Sequence, residues 1–262
     1  MSTPARNRAP GQPTPGPFVE IGRGAKRQGR LGLVRVPAAL LLLLGAAVAG
    51  YLGITTPSGD DLPQRVAGLS RGAPLRPADV PAVLEQAVVA VEDERFYAHH
   101  GLDTVGTARA VWVDLSGRCT CEGGSTITQQ LAKTVYFPEE DRIARKLPGM
   151  AVALKIELRY DKRQILADYL SVVPTGYGLV GAREAACAYF GRPLADLTVG
   201  QAAELAGSVQ APSVTDPRYD PAAARARRDY VLERMVEVGY LDAAQAAAAR
   251  AEPVLGVVPG RC

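Results

Sequence analysis

Hydrophobic and polar positions divide the chain into distinct regimes. Residues 1 to about 30 are rich in Pro, Gly, Arg and Ala and carry too few apolar side chains to bury a core, which predicts a disordered tail. From Val36 to Ile54 no residue is charged. At ~1.5 Å per residue that run approaches the ~30 Å of a hydrocarbon core, and 31–54 reads as one transmembrane helix. Residues 55–78, punctuated by Pro and Gly, read as a linker. Helical periodicity then takes over. Leu84, Val88 and Val91 mark one buried face, in a helix opened by Asp79 and Pro81, expected to run to His99 and to stop at Gly101. Residues 102–116 place Val105, Ala108, Val111 and Trp112 on one face, and the glycines of 116–124 predict a loop. Leu154, Leu158, Ile165, Leu166, Tyr169 and Leu170 share a long helical pattern. The expected fold is mainly α, with a domain over 79–255 and a short tail over 256–262.

Charge adds direction. Arg23, Lys26, Arg27, Arg30 and Arg35 precede the apolar run, and Asp60 and Asp61 follow it. This asymmetry places the N-terminus in the cytoplasm and the domain outside. A cleaved signal peptide, with Ala47-Val48-Ala49 as the cleavage site, is the competing reading; the length of the run and of its leader favours an anchor. With 30 basic and 27 acidic residues the net charge of +3 gives no ground for a nucleic-acid partner. Four cysteines and two histidines show no zinc spacing, so no metal site is assigned. A disulfide is open to Cys119, Cys121, Cys187 and Cys262 outside the cytoplasm, although a ring closing Cys119 to Cys121 would be strained.

Candidate chemistry concentrates in two stretches. In Glu92-Asp93-Glu94-Arg95-Phe96-Tyr97-Ala98-His99-His100-Gly101, a helix would carry Glu92, Phe96 and His99 on one side. A carboxylate beside an aromatic ring and a core wall has the raised pKa that a general base needs. A solvated helix end is the plainer reading of those residues alone. The second stretch, Gly123-Gly124-Ser125-Thr126-Ile127-Thr128-Gln129-Gln130-Leu131-Ala132-Lys133, is a run of hydrogen-bonding side chains closed by a cation.

Together these stretches resemble the peptidoglycan glycosyltransferases (glycosyltransferase family 51). Glu92, Asp93, Phe96, His99 and Gly101 meet that family's first motif. Gly123, Ser125, Thr126, Ile127, Gln129 and Gln130 meet its second. Arg145 and Lys146 open its third; Lys162, Ile165, Leu166, Tyr169 and Leu170 follow its fourth; Arg227, Arg228, Val231 and Leu232 fit its fifth. The resemblance covers roughly 80–255 and implies a lysozyme-like helical domain that polymerises lipid II into glycan strands at a membrane, with inversion at the sugar carbon and loss of polyprenyl diphosphate. No penicillin-binding signature occurs, as in the monofunctional form.

The resemblance also implies roles. Glu92 is the general base, and Asp93 either orients or tunes it or serves as a structural cap. Ser125, Thr126, Gln129 and Gln130 bind sugar or phosphate oxygens, while Lys133, Arg145 and Lys146 face the diphosphate. Phe96, His99, Gly101 and Arg228 are structural. The partners are lipid II, the growing strand and the bilayer, with transpeptidases or other cell-wall synthesis proteins as candidates.

Two departures matter. Gly149 stands where the family has a second glutamate, and Ser171 where it has asparagine. Glu157 lies ~12 Å along the same helix, too far to substitute. By the resemblance the lost carboxylate assists through positioning or a divalent cation (Mg or Mn), and diphosphate is already a stable leaving group that needs no acid. Restoring the carboxylate by Gly149→Glu is expected to raise activity. A scaffold without catalysis and a hydrolase are the other readings that these residues leave open.

Overall fold

The computed structural model describes residues 29–106, 124–139, 141, 143–176, 178–210, 212 and 214–254, with side chains from Leu40 onward. Residues 1–28 of the expected 1–30 tail, the face carrying Trp112, the 116–124 loop up to Gly123, and the 256–262 tail lie outside the described residues. The chain divides into two compact units, 1–47 and 48–262.

The first unit contains the start of α1 (Gly29–Thr55). Leu40 to Leu44 lie along it with 61–75% of their surface exposed. Among the described residues no helix is long and apolar enough to cross a membrane; the side chains of 31–39, the first part of the expected anchor, are not among them.

The second unit is mainly helical. After the end of α1 come α2 (Leu62–Leu69), α3 (Ala82–Glu92), α4 (Ile127–Tyr136), α5 (Lys146–Glu157) and α6 (Lys162–Val172). A two-stranded antiparallel ribbon follows, β1 (Pro174–Gly176) with β2 (Leu179–Val180), then α7 (Ala182–Phe190), α8 (Val199–Gln210), α9 (Pro221–Val238) and α10 (Ala243–Ala251).

Helix α8 is the axis of the core, buried from Gly200 to Val209. Its small residues explain how neighbours approach. A Cβ at Gly207 would come within 2.8 Å of Arg227 Cγ on α9, and one at Gly200 within 2.9 Å of the Ala249 carbonyl on α10. Side-chain caps set several helix starts: Thr126 accepts from the Gln129 amide, Asp161 from Gln164, Asp220 from Ala222 and Ala223, and Asp242 from Gln245. Gly239, at φ 86°, ends α9.

Three expectations on boundaries are corrected. The first helix ends at Glu92 rather than His99, because Asp93 leaves helical geometry (φ −163°) to bond elsewhere, and only a short 3-10 turn, Phe96–Ala98, follows. Residues 55–78, expected as a linker ahead of the domain, contribute to its core: Leu62, Val66 and Leu75 are buried there. The long pattern after Lys146 is two helices, α5 and α6, and the second starts at its own Asp161 cap. Leu158, between them, is 83% exposed.

The chain leaving α1 is gripped by α5 and the turn after it. Lys155 Nζ donates to the Thr56 carbonyl (2.8 Å), the Thr56 hydroxyl (2.9 Å) and the Pro57 carbonyl (3.2 Å). Arg159 pairs with Asp60, and the Tyr160 hydroxyl donates to the Gly59 carbonyl. The departure at Ser171 is also accommodated. Its hydroxyl donates to the Ala167 carbonyl (2.7 Å) and accepts from the Leu75 amide (2.8 Å), tying the segment before α3 to α6.

Candidate active site

Glu92 is the last residue of α3, whose buried face (Leu84, Ala87, Val88) fixes the helix in the core. One carboxylate oxygen accepts from Gln130 Nε2 at 2.7 Å, and the other is buried without a partner. Burial pushes the Glu92 carboxyl above its ordinary range; the Gln130 bond and the cations Arg227 and Lys133 oppose that rise. Gln130 is oriented in turn: Tyr169, fully buried on α6, donates its hydroxyl to the Gln130 carbonyl oxygen at 3.0 Å. A relay Tyr169–Gln130–Glu92 thus sets the direction of the carboxylate.

Asp93 faces the other way. Both of its oxygens lie 2.9 Å from His99 Nε2, and one also accepts from the Ile127 amide at 3.1 Å. It therefore caps the first turn of α4 and links the two motif segments. Thr126 adds a second link by donating to the Gly101 carbonyl at 2.7 Å. Gly101 itself has φ +85°, a conformation that favours glycine. Asp93, His99, Thr126 and Gly101 are thus a brace beneath the site. Gln129 is buried on α4, and Phe96 is buried with Lys162 Nζ 4.3 Å from its ring centre.

Above the brace, Lys133 Nζ donates to Ser125 Oγ at 3.2 Å. Arg145 precedes α5 and donates to the Phe137 carbonyl at 3.4 Å, while its Nε is buried without a partner. Lys146 is exposed. Glu157 is occupied, accepting from Thr128 (2.5 Å) and pairing with Lys162 (2.7 Å), so it replaces nothing at Gly149. Arg228 lies apart, buried, donating to the Glu252 (2.8 Å) and Arg250 (2.9 Å) carbonyls at the end of α10.

Sequence reasoning assigned no role to two residues of this cluster. Tyr169 and Arg227 were matched to motifs only as positions. Arg227 stacks on Tyr230 (4.8 Å to the ring centre), its Nε and one terminal nitrogen are buried without partners, and its charge acts on Glu92. The signal lay in the pair Arg227-Arg228: consecutive helical residues cannot share a face, so one caps α10 and the other turns to Glu92.

Among the described residues no group of three ligating side chains could hold a metal. Asp93 is committed to His99 and the Ile127 amide, and Gly149 offers no donor, so among these positions only the Glu92 carboxylate is left to meet a cation.

The comparisons fall on this region. The Transglycosylase family model matches residues 65–236. A penicillin-binding protein 1A of Vibrio cholerae is 42% identical over 188 residues, covering 72% of this chain and 23% of that protein. The protein of Cupriavidus necator that carries the transglycosylase name is 39% identical over 175 residues, covering 67% of this chain and 75% of its own length. A crystal structure of penicillin-binding protein 1A from Haemophilus influenzae aligns with a TM-score of 0.44 at 25% identity, over 72% of this chain and 18% of that one. The chain thus spans less than a quarter of the penicillin-binding proteins it matches.

Proposed function

We propose a function from one premise: the chain belongs to the transglycosylase family, the peptidoglycan glycosyltransferases of family 51. On this reading it polymerises lipid II into glycan strands by inverting transfer and releases polyprenyl diphosphate. The observation that carries the reading is the Glu92 carboxylate, set in place by Gln130, with one buried oxygen unpartnered and two cations acting on it.

The chemistry follows from those groups. A sugar hydroxyl of one substrate attacks the anomeric carbon of the other; the new C–O bond forms as the bond to the diphosphate breaks. Glu92 takes the hydroxyl proton. Its raised pKa strengthens it as a base, while the charges of Lys133 and Arg227 favour its ionised form. The electron pair of the broken bond leaves on the diphosphate, whose negative charge Lys133, Arg145 and Lys146 offset. Arg145 Nε–H, buried without an acceptor, suits an anion oxygen. Ser125 and Gln130 supply hydrogen bonds to substrate oxygens. No step of this scheme is routed through a metal.

The same reading places the domain outside the cytoplasm on an anchor formed by α1. The uncharged run from Val36 to Ile54 and the basic residues before it support this. So does Cys187, which is disulfide-bonded, as befits a non-reducing compartment. Ile143 (84%), Leu147, Leu154 and Leu158 expose apolar surface on and around α5, suited to a bilayer carrying a lipid-linked substrate. The growing strand is the second ligand, and transpeptidases are candidate neighbours. The test is purified chain in lipid vesicles given lipid II: glycan polymer is expected, and unchanged lipid II or cleavage of preformed glycan would sink the reading.

A further inference from the structure

The missing side chain at position 149 has a geometric counterpart on the facing helix. Gly149 is buried in the first turns of α5, which packs against α4. A Cβ built there would lie 2.9 Å from Lys133 Cγ and 3.7 Å from Cδ. Real Cβ atoms do not approach carbon that closely. The obstructing atom is also not a mobile tip: Cγ sits one bond beyond Cβ, so moving it means changing the first torsions of the lysine. Those torsions set where the ammonium goes, and in this structure it reaches Ser125 Oγ at 3.2 Å.

We propose that Gly149 is a positioning residue, the bare stretch of α5 that seats the Lys133 stem and aims its ammonium into the site. The position is then not a gap left by a lost carboxylate but a seat occupied by a neighbour. On this proposal the effect expected of Gly149→Glu changes sign, from a gain in activity to a loss. Any side chain at 149 displaces Lys133, and a glutamate would add a carboxylate that draws the displaced ammonium away from Ser125. The inference rests on the polymerase reading only for what the ammonium does there; the seat itself is a matter of packing.

The experiment is a double-mutant cycle in the full chain, comparing wild type, Gly149→Ala, Lys133→Ala and the pair. With lipid II in vesicles, Gly149→Ala is expected to lower kcat by about 10- to 100-fold, the scale of a misplaced catalytic-site group, with less effect on KM. The pair should be no worse than Lys133→Ala alone, because without the lysine stem the added methyl meets nothing. Gly149→Glu should also fall below wild type. Thermal midpoints should not drop in Gly149→Ala, since alanine favours a helix interior over glycine. A parallel cycle reads binding of farnesyl diphosphate by calorimetry, where Gly149→Ala and Lys133→Ala should weaken affinity alike and the pair no further. Wild-type activity in Gly149→Ala or Gly149→Glu, losses that multiply in the pair, or equal binding by all four proteins would overturn the seat. If the wild-type chain makes no polymer, the functional reading fails and the binding cycle still decides this one.

Discussion

Two adjacent carboxylates at the end of α3 serve different ends. Glu92 keeps a buried oxygen without a partner, whereas Asp93 spends both of its oxygens on His99 and the Ile127 amide. Glu92→Gln should therefore cut polymerisation by roughly a thousandfold, the scale of a lost general base, and leave the fold intact. An initial-rate assay on lipid II with a melting curve beside it checks both halves. Because burial raises the Glu92 pKa above the ordinary 4.5, the ionised base should be lost, and activity with it, at a higher pH than for an exposed glutamate as pH falls. The pH profile of kcat/KM reads this directly; an acid limb at or below 4.5 would contradict the burial. Motif spacing in the sequence made Glu92, Gln130 and Lys133 legible as members of one site. It could not reveal that Tyr169 and Arg227 complete the site, because their roles depend on which way a helix faces after packing.

At the scale of the element, helix identity was readable from periodicity, but helix ends were not. The 3.6-residue pattern passes through Asp93 without a break, and only the tertiary acceptor role of its carboxylate stops α3. The small-residue run of α8 likewise gave no amphipathic stripe, since it is buried nearly all round. Within it, Glu204 is pushed from the ordinary 4.5 up to about 7 by burial, against the opposing pull of Arg228 and Arg225. The folded state thus holds this proton more tightly than the unfolded chain. Its stability contribution is fully present below pH 4.5 and is lost as pH rises toward about 7. Glu204→Gln should raise stability at pH 8 by up to about 3 kcal/mol and flatten that pH dependence, as urea melts at several pH values would show. Arg228 is the opposite case, a buried cation whose fork holds the last carbonyls of α10. Replacing it with alanine should cost about 3 kcal/mol or more, and lysine should recover only part, because a single ammonium cannot reproduce the fork.

For the whole molecule, the sequence separated the apolar run from the domain but misjudged what lies between them. Pro and Gly in 55–78 read as a linker outside the domain, whereas the described structure buries Leu62, Val66 and Leu75 and holds 56–60 with Lys155, Arg159 and Tyr160. Limited proteolysis should accordingly spare 56–61 in the wild-type chain and cut there readily in Lys155→Ala/Arg159→Ala; early cleavage of wild type would contradict the grip. Lys155 takes hold chiefly of backbone carbonyls, which every amino-acid sequence supplies. The junction is therefore blind to the side chains upstream of Thr56. A chimera that exchanges the helix before Thr56 for an unrelated one should dock its catalytic portion unchanged, leaving that stem free to be retailored for another lipid environment.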